Sequence, residues 1–207
     1  MTKKVAPKAR GKSDIKRTQI LTASTKLFTK HGYAATSMDL IAKHAEVSKQ
    51  TVYSHFGNKD ELFAAAIEQK CDSYQILEFD FDNLNEPKKA LLTLAHRFLT
   101  MLISKEACAV HKICAFEAVS HPTLSELFYQ AGPEKITNEV AELMRLFNER
   151  KMLDIKNTHF AALQFLNMIK GEVWMRVEFN TIHQVSQKEI DEYLLSSVEL
   201  FMRGYAF

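Results

Sequence analysis

Glycine is scarce in this chain, six in 207 residues. Loops that cradle phosphates need several, and neither a Walker sequence nor the dinucleotide glycine fingerprint occurs; G-x-S-x-G and H-E-x-x-H are missing as well. An enzyme is therefore not expected, and no cofactor is. Cysteine is also rare and odd in number, three with no C-x-x-C, which excludes a disulfide framework and fits a reducing cytoplasm. No apolar run approaches the ~18 residues of a membrane span. The opening MTKKVAPKARGKSDIKR lacks the apolar centre of a signal peptide. These absences predict a soluble cytoplasmic protein with no membrane partner. No strand alternation and no repeat of 20–50 residues is visible.

What is present is helical periodicity and an uneven spread of charge. With 46% hydrophobic residues the chain can bury a sizeable core, and apolar positions recur at helical spacing almost throughout. The net charge of +2 hides an asymmetry: residues 1–60 carry 12 Lys and Arg against 4 Asp and Glu, whereas 61–207 carry 15 against 21. A front segment with a surplus of eight positive charges is the electrostatic footprint expected for nucleic acid.

Within that basic segment the stretch Thr36–Asn58, TSMDLIAKHAEVSKQTVYSHFGN, predicts two short helices joined by a tight turn. Thr36 is expected to cap the first, with Asp39 completing a capping box. Ser48 caps the second, Lys49 to Phe56, and Gly57 closes it. Val47, Val52 and Phe56 point inward. Lys49, Gln50 and Tyr53 stay outside near the N-terminal end, where a recognition helix meets base edges in the major groove. Lys suits guanine O6 and N7, and Gln suits adenine N6 and N7. Thr51, Tyr53 and His55 carry donors suited to phosphate oxygens. A plain helical hairpin is the competing reading.

Around this pair, residues 1–12 predict a basic flexible arm, and Ser13 or Asp14 the cap of a helix ending at His31-Gly32. Asn58-Lys59-Asp60-Glu61 is a second capping box, opening a connecting helix through about Leu77, whose N-terminus with Lys59 would clamp a phosphate. Residues 78–85, EFDFDNLN, predict an acidic loop. Helices then follow at about 86–103, 106–119, 122–131, 133–152, 157–179 and 187–204. Pro87 and Pro122 fall in first turns, and Gly132-Pro133 breaks or kinks the chain.

The run ILTASTKLFTKHGYAATSMDLIAKHAEVSKQTVYSHFGNKDELF resembles the DNA-binding head of the TetR family of bacterial transcriptional regulators. It carries F-x-x-x-G-Y, T-S-x-x-x-I-A, V-S-x-x-T-V-Y-x-H-F and N-K-D-E-L. Glu46 departs from the pattern, standing where the family often has Gly. The resemblance implies an all-α fold: an N-terminal three-helix helix-turn-helix DNA-binding head joined by a connecting helix to a larger helical ligand-binding and dimerisation body. The implied division is a basic arm at 1–13, the head at 14–60 and the body at 61–207. It further implies a homodimeric repressor on a palindromic double-stranded DNA operator, its heads about 34–36 Å apart. By position, Lys49 and Gln50 would face bases, while Thr36, Ser37, Thr51, Tyr53, His55 and Lys59 would hold phosphates.

The resemblance also implies a homodimer through helices about 157–179 and 187–204. Ala161, Ala162, Phe165, Met168, Ile169, Tyr193, Leu194, Val198 and Phe201 either face the partner or close the chain's own core. A small-molecule effector bound in the body would release the DNA. Candidate lining residues are Tyr74, Phe98, Met101, Phe116, Tyr129, Phe165, Trp174 and Met175, with His96 and His111 as polar handles, and these imply a mostly apolar ligand. Cys108-x-x-His111-x-x-Cys114 offers another reading, a thiol or metal sensor. The outer cysteines, however, lie about 9 Å apart along a helix axis, too far for a disulfide. A helical module that binds protein rather than DNA is the remaining alternative.

Overall fold

The computed structural model describes residues 11–79, 84–182 and 185–207. Among them are ten α-helices and no strand. The chain divides into two compact units, one ending at Ala66 and the other running from Ile67 to Phe207.

The first unit holds α1 (Lys12–His31), α2 (Met38–His44), α3 (Lys49–Phe56) and the opening of α4 (Lys59–Ser73). Helix α1 starts earlier than expected. Gly11 is its N-cap, and the Gly11 N–H donates to the Asp14 carboxylate at 3.2 Å, tying off an orphan amide. The expected arm at 1–10 lies outside the described residues. Ile20, Leu21, Leu27 and Phe28 of α1 are buried, as are Ile41, Val52, Leu62 and Phe63 from the other three helices. Phe28, Tyr33 and Phe63 form the aromatic centre, the Phe63 ring standing edge-on to both others at 5.1 and 5.3 Å, arrangements the ring quadrupoles favour.

The turn between α2 and α3 explains how Glu46 replaces glycine. The Val47 N–H donates to the Ala42 carbonyl at 3.1 Å and the Ala45 N–H to that of Ile41 at 2.8 Å. This closure requires a left-handed residue between them, and Glu46 takes it with φ 53°. Ser37, not Thr36, caps α2: its hydroxyl accepts from the Leu40 N–H at 3.1 Å. The Thr36 side chain turns inward instead and donates to the Gly32 carbonyl at 2.7 Å.

The second unit contains the end of α4, then α5 (Pro87–Leu102), α6 (Lys105–Glu117), α7 (Pro122–Tyr129), α8 (Lys135–Glu149), α9 (Thr158–Glu178) and α10 (Gln187–Gly204). Helix α4 ends at Ser73, short of the expected Leu77, because Gln75 takes φ 50°. Arg97 holds the turn that follows, donating to the carbonyls of Gln75 at 2.7 Å and Glu78 at 3.0 Å. Of the expected acidic loop, residues 80–83 lie outside the described residues. Pro87 and Pro122 open α5 and α7 as their missing N–H groups allow. Gly132-Pro133 sits in one widened π turn, Gln130–Glu134, that carries α7 into α8.

The core of this unit is built from Leu91, Leu94, Phe98 and Leu99 on α5, Val140, Leu143 and Phe147 on α8, Phe165 and Ile169 on α9, and Leu194, Val198 and Phe201 on α10. Helix α9 kinks at Gly171, φ 48° and ψ −159°. A Cβ there would lie 2.6–2.8 Å from the Tyr193 ring and hydroxyl. That hydroxyl donates to the Met168 carbonyl at 2.6 Å, satisfying an acceptor beside the break.

Candidate nucleic-acid interface

Helix α3 is amphipathic over barely two turns. Val52 and Phe56 are buried, and Lys49, Gln50, Tyr53 and Ser54 are exposed. Its first turn is fixed by Ser48, whose Oγ accepts from the Thr51 N–H at 3.1 Å and lies 2.8 Å from the Thr51 hydroxyl. The expected outward row is therefore present, on a helix whose start is locked.

Lys49 is engaged within the unit. Its ammonium pairs with Asp39 at 2.7 Å, and this hydrogen-bonded ion pair raises the lysine above its ordinary value. Both groups are well exposed, so solvent screens the pair and leaves it easy to exchange. The same ammonium lies 5.9 Å from the centroid of the Tyr53 ring. Gln50 and Tyr53 are exposed, and His55 is half-buried with its ring tilted against Phe56.

Two expected phosphate contacts differ. Thr36 is fully buried, its hydroxyl 2.7 Å from the Gly32 carbonyl and 3.3 Å from that of Leu27. Its amide donates to the Tyr33 carbonyl, so no donor remains for a phosphate. Lys59 folds back, its Nζ donating to the Tyr33 carbonyl at 3.1 Å and standing 4.1 Å over that ring. Burial pushes this ammonium below the usual lysine range. The capping box ahead of it is closed, Asn58 Oδ1 accepting from the Glu61 N–H at 2.9 Å. Ser37 remains exposed at the start of α2.

In the second unit the ten candidate effector-lining residues do not form one cavity. Phe98, Met101 and Phe165 are buried in the hydrophobic core of the unit. Phe116, Tyr129 and Met175 point to solvent. Tyr74 is half-buried beneath the Lys70 ammonium, and His96 Nδ1 lies 3.8 Å from Asp191. Only His111 and Trp174 of the ten meet as ring partners, 5.5 Å apart and nearly perpendicular. An open groove of about 640 Å³ lies elsewhere, between Cys71–Glu78 and α8. It has an aliphatic floor of Ile76, Leu77, Ile136, Leu143 and Leu146 and a charged rim, and contains none of the ten. Residues that partner each other across long sequence separations, such as His111 and Glu178, 2.9 Å apart, left no local pattern to find.

Of the residues expected at a dimer interface, Ala161, Ala162, Phe165, Ile169, Leu194, Val198 and Phe201 are buried within the chain's own core. The large apolar groups that α9 and α10 leave exposed are Phe160, Met175, Val177, Tyr193, Leu195 and Leu200. The thiol or metal reading gains no support. Among the described residues no group of three or more His, Cys, Asp or Glu side chains is arranged to hold a metal. Cys71, Cys108 and Cys114 are free, and burial pushes the Cys114 thiol up to about 12.

Comparison with known proteins agrees with the helix-turn-helix. Residues 20–66 match the family described as "Bacterial regulatory proteins, tetR family". Residues 89–207, more than half the chain, match the "AefR-like transcriptional repressor, C-terminal domain". The regulator HbdR from Aromatoleum sp. (strain CIB) is 35% identical over 190 residues, covering 90% of this chain and 81% of HbdR. The uncharacterised regulator YhgD from Bacillus subtilis (strain 168) is 36% identical over 120 residues, 53% of this chain and 62% of YhgD, so that match spans less than two thirds of the relative. Among solved structures, the flavonoid-responsive regulator FrrA superposes with a TM-score of 0.70 at 30% identity, covering 91% of this chain and 96% of FrrA. With an exposed reading helix on a basic head and an all-helical body, the chain belongs to the TetR family of DNA-binding transcriptional regulators and is not an enzyme.

Proposed function

We propose that the protein is a homodimeric repressor that holds a two-fold symmetric operator and releases it when a small, mostly apolar molecule binds the body. The observation that carries this reading is the capped α3 with Lys49, Gln50 and Tyr53 exposed on the segment bearing the positive surplus. Lys49 and Gln50 read base edges; Ser37, Thr51, Tyr53, His55 and Lys59 hold phosphates, Lys59 by leaving the Tyr33 carbonyl. Thr36 has a different part: it fixes the loop before α2 from inside.

The repressor sign is supported by the name of the matching C-terminal family, and an organic effector by the flavonoid response of FrrA. The dimer uses the outer faces of α9 and α10, where Phe160, Tyr193 and Leu200 would otherwise leave apolar area in water. Release requires the ligand to bind the DNA-free form better: a factor of 100 in operator affinity corresponds to about 2.7 kcal/mol of coupling.

The test is selection of bound sequences from genomic fragments with the full chain. The expected product is one palindromic motif with half-site centres about one turn of DNA apart. Enrichment of no motif, or of an unpaired half-site bound by monomers, would contradict the reading.

A further inference from the structure

Glu178, the last residue of α9, is more than nine-tenths buried. Its Oε1 accepts from His111 Nδ1 at 2.9 Å, while Oε2 is buried and makes no hydrogen bond of good geometry. The Cys108 thiol, raised by burial, by the Glu178 charge and by its hydrogen-bonding approach to Glu178, is the neighbouring protein donor, but it is a weak one and its well-directed bond goes to the Leu102 carbonyl at 3.3 Å. A buried acceptor left open is costly and marks a place where a ligand donor belongs.

The surroundings say which donor. His111 stands edge-on to Trp174 at 5.5 Å and near Phe128 at 6.1 Å, and its side chain is 39% exposed, so rings lead from solvent to the carboxylate. One face of Trp174 is already covered by the Lys170 ammonium, 3.6 Å from the centroid. Lys170 is also the local counter-charge to Glu178, whose field acts on it against the effect of burial. A cationic guest would meet Lys170, and an anionic one would meet Glu178. A neutral molecule with an aromatic body and one hydroxyl donor meets neither obstacle.

We propose that Glu178 is the hydroxyl-recognising group of an effector site formed with His111, Phe128, Lys170 and Trp174, and that the effector class is a neutral phenol. The ring lies among the aromatic edges, and its O–H donates to Oε2. This rests on the effector-responsive reading above and narrows it. Trp174 is the only tryptophan of the chain and reports on its own site.

The test is titration of the full-length protein, without DNA, with p-cresol, 4-methylanisole and 4-methylbenzylamine, following Trp174 emission. The expected result is saturable binding of p-cresol with a dissociation constant below about 1 mM. Methylating the hydroxyl should weaken binding at least ~10-fold, because Oε2 is then left buried beside a non-donor. The amine should be no tighter than the anisole. Glu178→Gln, which can keep an acceptor for His111 but presents an amide N–H in place of Oε2, should lose ~10-fold for p-cresol and little for the anisole. Equal affinities for cresol and anisole, a tighter amine, or no saturable cresol binding would overturn the proposal. The wild-type comparison stands even if the variant fails to fold. Operator release is measured separately: binding of cresol without release sinks the effector reading but not the site, whereas release unaltered in Glu178→Gln sinks the site.

Discussion

At the scale of single residues, Lys49 shows how a side chain proposed to meet bases is held before DNA arrives. In the free protein its ammonium is hydrogen-bonded to Asp39 across the exposed turn of the head. Binding to a base edge as proposed must exchange that partner, and Asp39 brings negative charge to the proposed DNA-facing surface. Asp39→Asn is therefore expected to tighten operator binding about 3- to 10-fold at low salt, with the gain shrinking as salt rises, measurable by anisotropy. Gln50 has no comparable ion-pair partner, and in the proposed complex it reads sequence rather than charge. Gln50→Ala should alter base preference at one position per half-site by about 1–3 kcal/mol while leaving affinity for unrelated DNA unchanged. The cysteines lie at the other extreme. Burial lifts the Cys71 thiol to about 11 and that of Cys114 to about 12. At pH 8 the thiolate of Cys71 is then about one part in a thousand, and alkylation of both groups in the native protein should run at least ~100-fold slower than in unfolded chain. Rapid native alkylation of Cys114 would restore the thiol-sensor reading.

At the scale of elements, two strained glycine-type positions give opposite expectations. Glu46 pays a left-handed φ of 53° to close α2 onto α3. Glu46→Gly should stabilise the head by about 0.5–1 kcal/mol, a rise in melting temperature of about 1–4 °C. Gly171 is the reverse. Its φ of 48° and the Tyr193 ring leave no room for Cβ, so Gly171→Ala should cost about 2–4 kcal/mol, read as a drop in the denaturant midpoint. Tyr193→Ala beside it should recover the steric part but not the backbone part. These elements also mark where sequence was sufficient. Caps at Ser48 and Asn58 and prolines at 87 and 122 are local chemistry, and helix positions followed from them closely. The cap of α2 was misplaced by one residue because Thr36 and Ser37 are both capping types. Only packing against Gly32 decides which one turns inward.

At the scale of the whole molecule, the basic head and acidic body were legible because charge sums do not depend on folding. The family resemblance of residues 20–66 survives for a related reason: a reading helix needs particular residues at fixed spacing. Of the proposed body site only His111 and Trp174 were legible as candidates. Met and aromatic residues at helical spacing fit core and cavity alike. Phe98 and Phe165 went to the core, while Glu178 was paired with His111 across 67 residues that no periodicity links. For the assembled dimer, neutralising about four phosphates predicts a loss of about 100-fold in operator affinity between 50 and 200 mM salt. Leu200→Glu, on the exposed face of α10, should yield monomers in sedimentation and weaken operator binding in parallel. A stable dimer in that variant would place the interface elsewhere.

The central claim is that the outward face of α3 enters the major groove, and it is tested most directly by equilibrium anisotropy on the selected operator. Wild-type protein is compared with a Lys49→Ala/Gln50→Ala double variant whose melting temperature is unchanged. Both side chains are exposed, so folding should be preserved, and two heads each losing base contacts should lower specific affinity at least ~100-fold while non-specific binding falls far less. A double variant that binds the operator within about two-fold of wild type would contradict the account.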